Sequence, residues 1–214
     1  QPYLHSILML IGVCLFILRE VFMIQRILML VLVFLAFTMP TEAISFQELK
    51  TSPQFKLIHS HEYAHYTPVE NGGVYIYLNT YSIESVQYAP PKYTLRGTYY
   101  MVYTSSYQNE IIEKQLTVNY DTSHSLATLI HSSRMMNRNS SMMDLMKASD
   151  TNSGLFMGDT TVAIYTLNGS LKRNQFLNET INQKIYRKNI VMYDLADAMF
   201  ISVYQQHFDD IVVQ

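Results

Sequence analysis

Alternating apolar and polar positions predict β-strands along most of the chain beyond residue 50. The segments with this pattern are 55–59, 74–79, 93–104, 111–120, 160–167 and 171–177. The runs at 93–104 and 111–120 are rich in aromatic and β-branched residues, and they flank a polar stretch from Ser105 to Asn109, which predicts a hairpin. Between the last two segments, Asn168-Gly169 is the pair preferred in a two-residue type I′ turn, which predicts a second hairpin.

The strand at 111–120 has two faces of opposite character. Leu116 and Val118 fall on one face, whereas Gln115 and Asn119 fall on the other, because successive side chains of a strand point to opposite sides. In the run at 93–104, Gly97 suggests a bulge or a bend.

Two segments, 125–136 and 191–208, have helical character instead. In the second, Leu195, Ala196 and Met199 belong to one apolar stripe with three- and four-residue spacing. The residues suited to solvent on this helix are Asp194, Asp197, Gln205 and Gln206. A helix and a sheet with one apolar face each are stable when they pack together. We therefore predict an α+β fold, in which an antiparallel sheet of about six strands carries the C-terminal amphipathic helix on one face.

Residues 131–154 fit neither pattern and predict a long loop rich in Ser, Asn and Met. Its methionines stand at positions 135, 136, 142, 143 and 146. They are open to three interpretations: a short irregular helix whose methionines cover the edge of the sheet, an adaptable binding surface, or ligands for copper(I). We favour the first interpretation.

Residues 1–43 differ from the rest because they hold two apolar runs, Ile7 to Leu18 and Ile27 to Thr38. Each run is shorter than the roughly 20 residues that a lone membrane-spanning helix needs. Residues 23–43 have the parts of a secretory signal peptide: Arg26 before the second run, and small residues around Ala43 where cleavage would occur. We predict a signal or anchor segment at 1–43, with Met23 as a candidate start, and a single exported β-rich domain at 44–214. A double hydrophobic membrane anchor is the alternative.

Composition and charge exclude several classes of protein. The chain has 15 Lys and Arg against 17 Asp and Glu, so it lacks the basic excess typical of nucleic-acid binding. With 49% hydrophobic residues it is not a disordered chain. Cys14 is the single cysteine, which excludes a disulfide framework and a thiolate zinc site. An exported domain without disulfides suits a bacterial envelope.

One short motif carries potential chemistry. Residues 61–65 read His-Glu-Tyr-Ala-His, the H-E-x-x-H pattern of zinc metallopeptidases. On a helix, His61 and His65 would bind one zinc ion and Glu62 would act as the general base. A third ligand would then be His59, Glu70 or Glu84.

The surroundings of this motif disfavour the peptidase interpretation. The residues before it, Phe55 to Ser60, have the pattern of a strand, and Pro68 follows His65 by only three positions. A zincin helix therefore has little room. Metal binding by His59, His61 and His65 in a loop is the milder alternative.

The order of the elements resembles the surface-adhesin protein E family of small exported bacterial proteins. The similarity covers about residues 53–210. The segments that carry it are VYIYLNTYSIE, YTLRGTYYMVYT, IIEKQLTVNYD, IYTLNGSL and YDLADAMFISVYQQHF. This resemblance implies the same sheet-and-helix fold, a place at the cell envelope, and binding of host matrix or serum proteins. Two features depart from the family: residues 131–154 are longer than expected, and no lipobox cysteine is present.

We therefore expect an exported, non-enzymatic, surface-adhesin-like binding module located in the periplasm, at the cell surface or outside the cell. It would need no cofactor and would meet a membrane only through its N-terminal segment. Its partners would be host matrix or serum proteins or other envelope proteins, not nucleic acid. The alternatives are a zinc-dependent metallopeptidase using His61, Glu62 and His65, and a periplasmic metal-binding protein.

Overall fold

The structure is a computed structural model that describes residues 44–62, 72–105, 107–136, 140–177 and 182–213, without the side chains of 175–177. The described residues belong to one compact unit. The predicted signal segment at 1–43 lies outside them. Within the described ranges, no helix has both the length and the apolar character needed to cross a bilayer.

The centre of the fold is an antiparallel sheet. Its strands are β1 (Phe55–Glu62), β2 (Gly73–Ala89), β3 (Lys92–Thr104), β4 (Asn109–Asp121), β5 (Leu155–Tyr165), β6 (Leu171–Leu177) and β7 (Gln183–Lys184). The first six follow one another across the sheet in chain order, and β7 pairs with β5. This meander and its C-terminal helix confirm the predicted α+β class.

Four helices and two short 3₁₀ turns complete the described part of the chain. The helices are α1 (Phe46–Thr51), α2 (Leu126–Met135), α3 (Met142–Thr151) and α4 (Ile190–Tyr204). The 3₁₀ turns are Thr122–His124 and Phe208–Asp210. The sequence pattern predicted α2 and α4 and missed α1, and α3 agrees with the favoured interpretation of residues 131–154 as containing a short helix.

The larger core lies between α4 and one face of the sheet. Leu195, Met199 and Phe200 of α4 are buried there against strand residues such as Leu95 and Val118. A Cβ atom at Gly97 would lie 3.3 Å from the Met199 Cε atom, so the glycine allows α4 to approach β3 closely.

A smaller core lies on the opposite face of the sheet, under α1 and the residues before it. It consists of Ile44, Leu49, Phe55, Tyr77, Tyr100, Val102 and Ile111. The Phe46 ring packs against Tyr75 with ring centroids 5.3 Å apart. Both faces of the sheet are therefore covered at this end.

Helix α4 is shorter than the predicted segment 191–208. It ends at Tyr204, because Gln205 adopts the left-handed conformation with φ of 57°. Phe208 is still fully buried, but in the 3₁₀ turn that follows the helix. Phe208 thus lies in a 3₁₀ turn and not in the predicted helix, although it is buried, as an apolar residue of that segment should be.

The predicted loop at 131–154 is largely helical in its described part. It contains the end of α2 and the whole of α3, which Ser141 caps by accepting a hydrogen bond from the Asp144 N–H at 3.1 Å. The prediction that the methionines cover the edge of the sheet is wrong, since all five are exposed.

The last hairpin is present, but its turn differs from the prediction. A type I′ turn needs a positive φ at two adjacent residues, and here only Gly169 has one, of 92°. The Gly169 N–H donates to the Thr166 carbonyl oxygen at 2.9 Å, and the Thr166 N–H donates to that of Ser170. The connection is therefore a longer loop closed by a left-handed glycine.

The bulge predicted at Gly97 belongs to the neighbouring strand instead. Gly97 pairs regularly with Leu116 of β4. On the other side of β3, the pairing with β2 shifts between Asn79 and Glu84 and again between Ser85 and Gln87. Strand β2 therefore runs ten residues beyond the predicted 74–79 segment, but with an irregular second half.

Candidate functional site

On the face opposite α4, one half of the sheet is covered by none of the described helices. Strand alternation places Thr94, Arg96 and Thr98 of β3 on this face, next to partners on β4 that are also polar. The partners, in the same order, are Asn119, Thr117 and Gln115. We call this surface the polar face. It continues the face that α1 covers at the other end of the sheet.

A row of hydrogen-bonded side chains crosses the polar face. Thr94 Oγ1 lies 2.8 Å from Asn119 Oδ1 and 3.4 Å from Gln87 Oε1, and so links β2, β3 and β4. Phe156 of β5 pairs with Asn119 and extends the row by a half-buried aromatic ring. The row thus combines amide and hydroxyl groups with one aromatic ring.

An ion pair stands beside this row. Arg96 Nη1 lies 3.2 Å from Glu84 Oε1, and the two side chains are 43% and 59% exposed. A surface pair of this kind contributes little to folding stability, about 0–1 kcal/mol. The charged atoms therefore remain accessible to a partner.

The polar face ends in a cleft of about 330 Å³ near the β2–β3 turn. Its lining residues are Gln87, Lys92, Tyr93, Thr94, Asn119, Tyr120, Asp121, Gly154, Phe156 and Asn182. The lining offers one cation at Lys92, one carboxylate at Asp121, and several neutral donors and acceptors. Such a surface suits a polar or zwitterionic segment of a ligand.

The rings of the two tyrosines that border the cleft lie on the α4 side of the sheet, where both pack against Phe200. Burial raises the pKa of Tyr93, assisted by the neighbouring Tyr88 and Tyr204 phenols. Burial likewise raises the pKa of Tyr120, whose hydroxyl donates to the Ala196 carbonyl oxygen at 2.8 Å. Neither phenol will ionise near neutral pH, and the Tyr120 hydroxyl is engaged in the core and not in the cleft.

A second local cluster, formed by Asp121, Ser123 and His124, lacks the geometry of a hydrolytic triad. Ser123 Oγ donates to Asp121 Oδ1 at 2.5 Å and lies 3.1 Å from His124 Nδ1. In a triad the serine and the carboxylate contact different nitrogens of the imidazole ring. Here His124 Nδ1 faces both groups, with Asp121 Oδ2 at 3.6 Å. The cluster is better explained as the polar cap of the 3₁₀ turn.

The predicted zinc residues are only partly within the described chain. His59, His61 and Glu62 lie on β1, an extended strand. Glu84 lies on β2 beyond the residues that pair with β1, and it forms an ion pair with Arg96 of β3. His65 and Glu70 lie outside the described residues. A zincin needs its first histidine and glutamate on a helix, which β1 does not provide. Among the described residues, no group of three His, Cys, Asp or Glu side chains is placed to hold a metal ion.

The polar face was missed at the sequence level, although one signal of it was present. The alternation in β4 had already placed Gln115 and Asn119 on a common face away from Leu116. What the pattern lacked was the pairing register, which sets Thr94 between Gln87 and Asn119.

Comparisons with known proteins identify no relative from which a function could be inferred. No family model, no curated protein and no solved structure matches this chain significantly. The function must therefore be argued from the residues and the geometry.

Proposed function

We propose that this protein is an exported binding module of the bacterial cell envelope, surface-adhesin-like in role and without catalytic activity. The observation that carries the proposal is the polar face, a broad hydrogen-bonding surface that no described helix covers. Its partner would be an extended segment of a host matrix or serum protein, or of another envelope protein.

Exposed aromatic side chains on β2, of which Tyr88 lies on the α4 side of the sheet, support a protein partner. Tyr81 and Tyr88 of β2 are 76% and 68% exposed. The Tyr88 ring also packs against Tyr93 and Tyr204, with centroids 5.4 and 6.0 Å away, so it is held in place before binding. Preorganised tyrosines are enriched among the residues that contribute most to protein interfaces.

The binding experiment compares variants of matched charge. The full chain would be tested against a panel of immobilised extracellular-matrix and serum proteins. The double variant Arg96→Ala/Asn119→Ala should weaken binding about tenfold, because both substitutions remove contacts from the centre of the surface. Lys172→Ala, which removes one surface cation on β6, is the control and should bind normally. Equal binding by all three proteins would reject the polar face as the site.

Export is tested separately. The chain would be expressed in a bacterium with a two-membrane envelope, and the N-terminus of the product would be determined by mass spectrometry. Cleavage after Ala43, with the product outside the cytoplasm, is the expected result. An uncleaved cytoplasmic product would contradict the exported part of the proposal while leaving the binding experiment valid.

The zinc-dependent alternative gives a different result in a third measurement. Zinc would be quantified in the dialysed protein beside a His61→Ala/His65→Ala variant. About one zinc per chain, lost in the variant, would favour a metallopeptidase and justify an assay with Glu62→Gln. Zinc-free protein with unchanged thermal stability in the variant is what the binding module predicts.

A further inference from the structure

The methionines of the α2–α3 region are exposed, in contrast to those in the rest of the described chain. Their exposed fractions range from 55% at Met146 to 75% at Met135. The other described methionines, at 101, 157, 192 and 199, are buried or half-buried. Five exposed methionines within twelve residues therefore form a distinct surface, which we call the methionine patch (Met135, Met136, Met142, Met143 and Met146).

Packing within the described structure does not account for this patch. A buried methionine stabilises a fold by about 1.5–3 kcal/mol relative to an exposed one, and none of the five obtains that gain. Ser149 is the one buried residue of α3. The helix is held instead by polar contacts, among them a hydrogen bond of 2.6 Å from Arg187 Nη1 to the Ser149 carbonyl oxygen.

The spacing on α3 brings thioether groups together. Met142 and Met146 are four residues apart and Met143 and Met146 three apart, so each pair consists of neighbours on the helix surface, with Cβ atoms about 5–6 Å apart. Methionine has three rotatable side-chain bonds, which allows sulfur atoms at this separation to reach one ion. Met135 and Met136 end α2, which packs against α3.

The chemistry of these donors selects the ion. Thioether sulfur is a soft ligand that favours copper(I), whereas magnesium, calcium and manganese need oxygen ligands. The carboxylate on the same turn, Asp144, already accepts a hydrogen bond of 2.7 Å from the Ser141 hydroxyl at the helix cap. Lys147 adds an exposed positive charge on the same helix, which disfavours a divalent ion.

We propose that the methionine patch is a copper(I) site. The thioethers of Met142, Met143 and Met146 supply its principal ligands, and Met135 or Met136 completes the coordination. The site is distinct from the polar face and does not depend on the proposed binding role. Residues 44–214 contain no cysteine, so thioethers are the soft ligands available there, and they do not form disulfides in an oxidising compartment.

The test is an anaerobic titration of the full chain with copper(I) held by a coloured chelator, in the presence of ascorbate. All proteins would carry Cys14→Ser, so that no thiolate competes. We expect uptake of about one copper(I) per chain. Replacing Met142, Met143 and Met146 together by leucine should weaken the affinity about tenfold or more, since ligands are lost.

Leucine is chosen because it preserves volume and apolarity while removing the sulfur. The control variant, Met101→Leu/Met192→Leu, changes methionines outside the patch and should bind copper(I) normally. Circular dichroism would verify that the triple variant keeps its helices, and X-ray absorption at the copper edge should show sulfur neighbours. Failure to withdraw copper(I) from the chelator, unchanged affinity in the triple variant, or nitrogen and oxygen neighbours alone would each overturn the proposal.

Discussion

Helices α4 and α3 both carry apolar side chains but use them in opposite ways. In α4, Leu195, Met199 and Phe200 are at most 1% exposed, because the helix lies across the apolar face of the sheet. In α3, Met142, Met143 and Met146 are all more than half exposed. The difference shows that an apolar residue has a structural role only where another surface is available to receive it.

The two helices are also attached differently. Helix α4 is held by a continuous aromatic cluster, whereas α3 is tied to the body of the protein by Arg187. This guanidinium donates to the Ser149 carbonyl oxygen of α3 and forms an ion pair with Asp209 near the C-terminus. Removing apolar contacts should therefore weaken the packing of α4, and removing polar contacts should weaken the attachment of α3.

The largest expected effect comes from Phe200→Ala in α4. The Phe200 ring contacts Tyr93, Tyr120 and Phe208, with ring centroids 5.0 to 5.8 Å apart. Deleting a fully buried aromatic side chain leaves a cavity and costs about 3–5 kcal/mol. Urea unfolding of the 44–214 fragment measures the free energy of unfolding. A loss below about 1 kcal/mol would show that α4 is not packed as described.

The second effect concerns the attachment of α3. Besides Arg187, the Tyr193 hydroxyl and the Leu126 N–H donate hydrogen bonds to the Asp209 carboxylate. Arg187→Met removes the guanidinium and leaves this half-buried carboxylate with fewer partners, so we expect a loss of about 2–3 kcal/mol. Lys188→Met, next along the chain and exposed, is the control and should be neutral.

The loss in Arg187→Met should depend on pH in a defined direction. Burial alone would raise the pKa of Asp209, but the hydrogen bonds from Arg187, Tyr193 and the Leu126 backbone outweigh it and hold the pKa below its ordinary value. A lowered carboxyl pKa contributes stability above the ordinary value of about 3.9 and loses it as the pH falls through the folded-state pKa. The difference between wild type and variant should therefore shrink below about pH 4, and a difference that grows on acidification would contradict this ion pair.

The third prediction is a change close to zero in the free energy of unfolding. Met143 is 67% exposed, so Met143→Gln removes apolar surface that water already contacts. The free energy of unfolding should change by less than about 0.5 kcal/mol. Met199→Gln, in the core under α4, is the matched comparison and should destabilise by several kcal/mol, about 2–5. Equal losses at the two positions would remove the distinction between the helices.

Much of the fold was predictable because one period dominates each element. The strands around Tyr99 and Leu116 alternate over more than ten residues, and the α4 stripe at Leu195 and Met199 recurs at helical spacing. Helix α3 was anticipated only as a short irregular helix within the predicted loop. Its methionines recur at helical spacing, but they face solvent, so the spacing does not show which surface the helix packs on.

The candidate site was less predictable, since it depends on pairing across strands. Gln87 reaches Thr94 only because two irregular pairings in β2 shift its register, and no local pattern encodes such shifts. The same limit applies to the turn at Gly169. The Asn168-Gly169 pair indicated a reversal of the chain, but the flanking hydrogen bonds of Thr166 decided its form.

The most local effect lies at the C-terminal end of α4, where a polar contact continues the attachment beyond the core. His207 Nδ1 lies 2.7 Å from Asp197 Oδ2, and this hydrogen bond raises the pKa of His207 above its ordinary value. Asp210 raises the pKa slightly as well, whereas Lys56 on β1 lowers it. A raised histidine pKa contributes stability below the ordinary value of about 6.5 and loses it as the pH rises through the folded-state pKa.

In an NMR titration, Asp197→Asn should lower the pKa of His207, while Asp194→Asn on the exposed side of the helix should leave it unchanged. A pKa that does not respond to Asp197 would mean that the end of α4 is held by its apolar contacts alone, with Phe208 as the last of them.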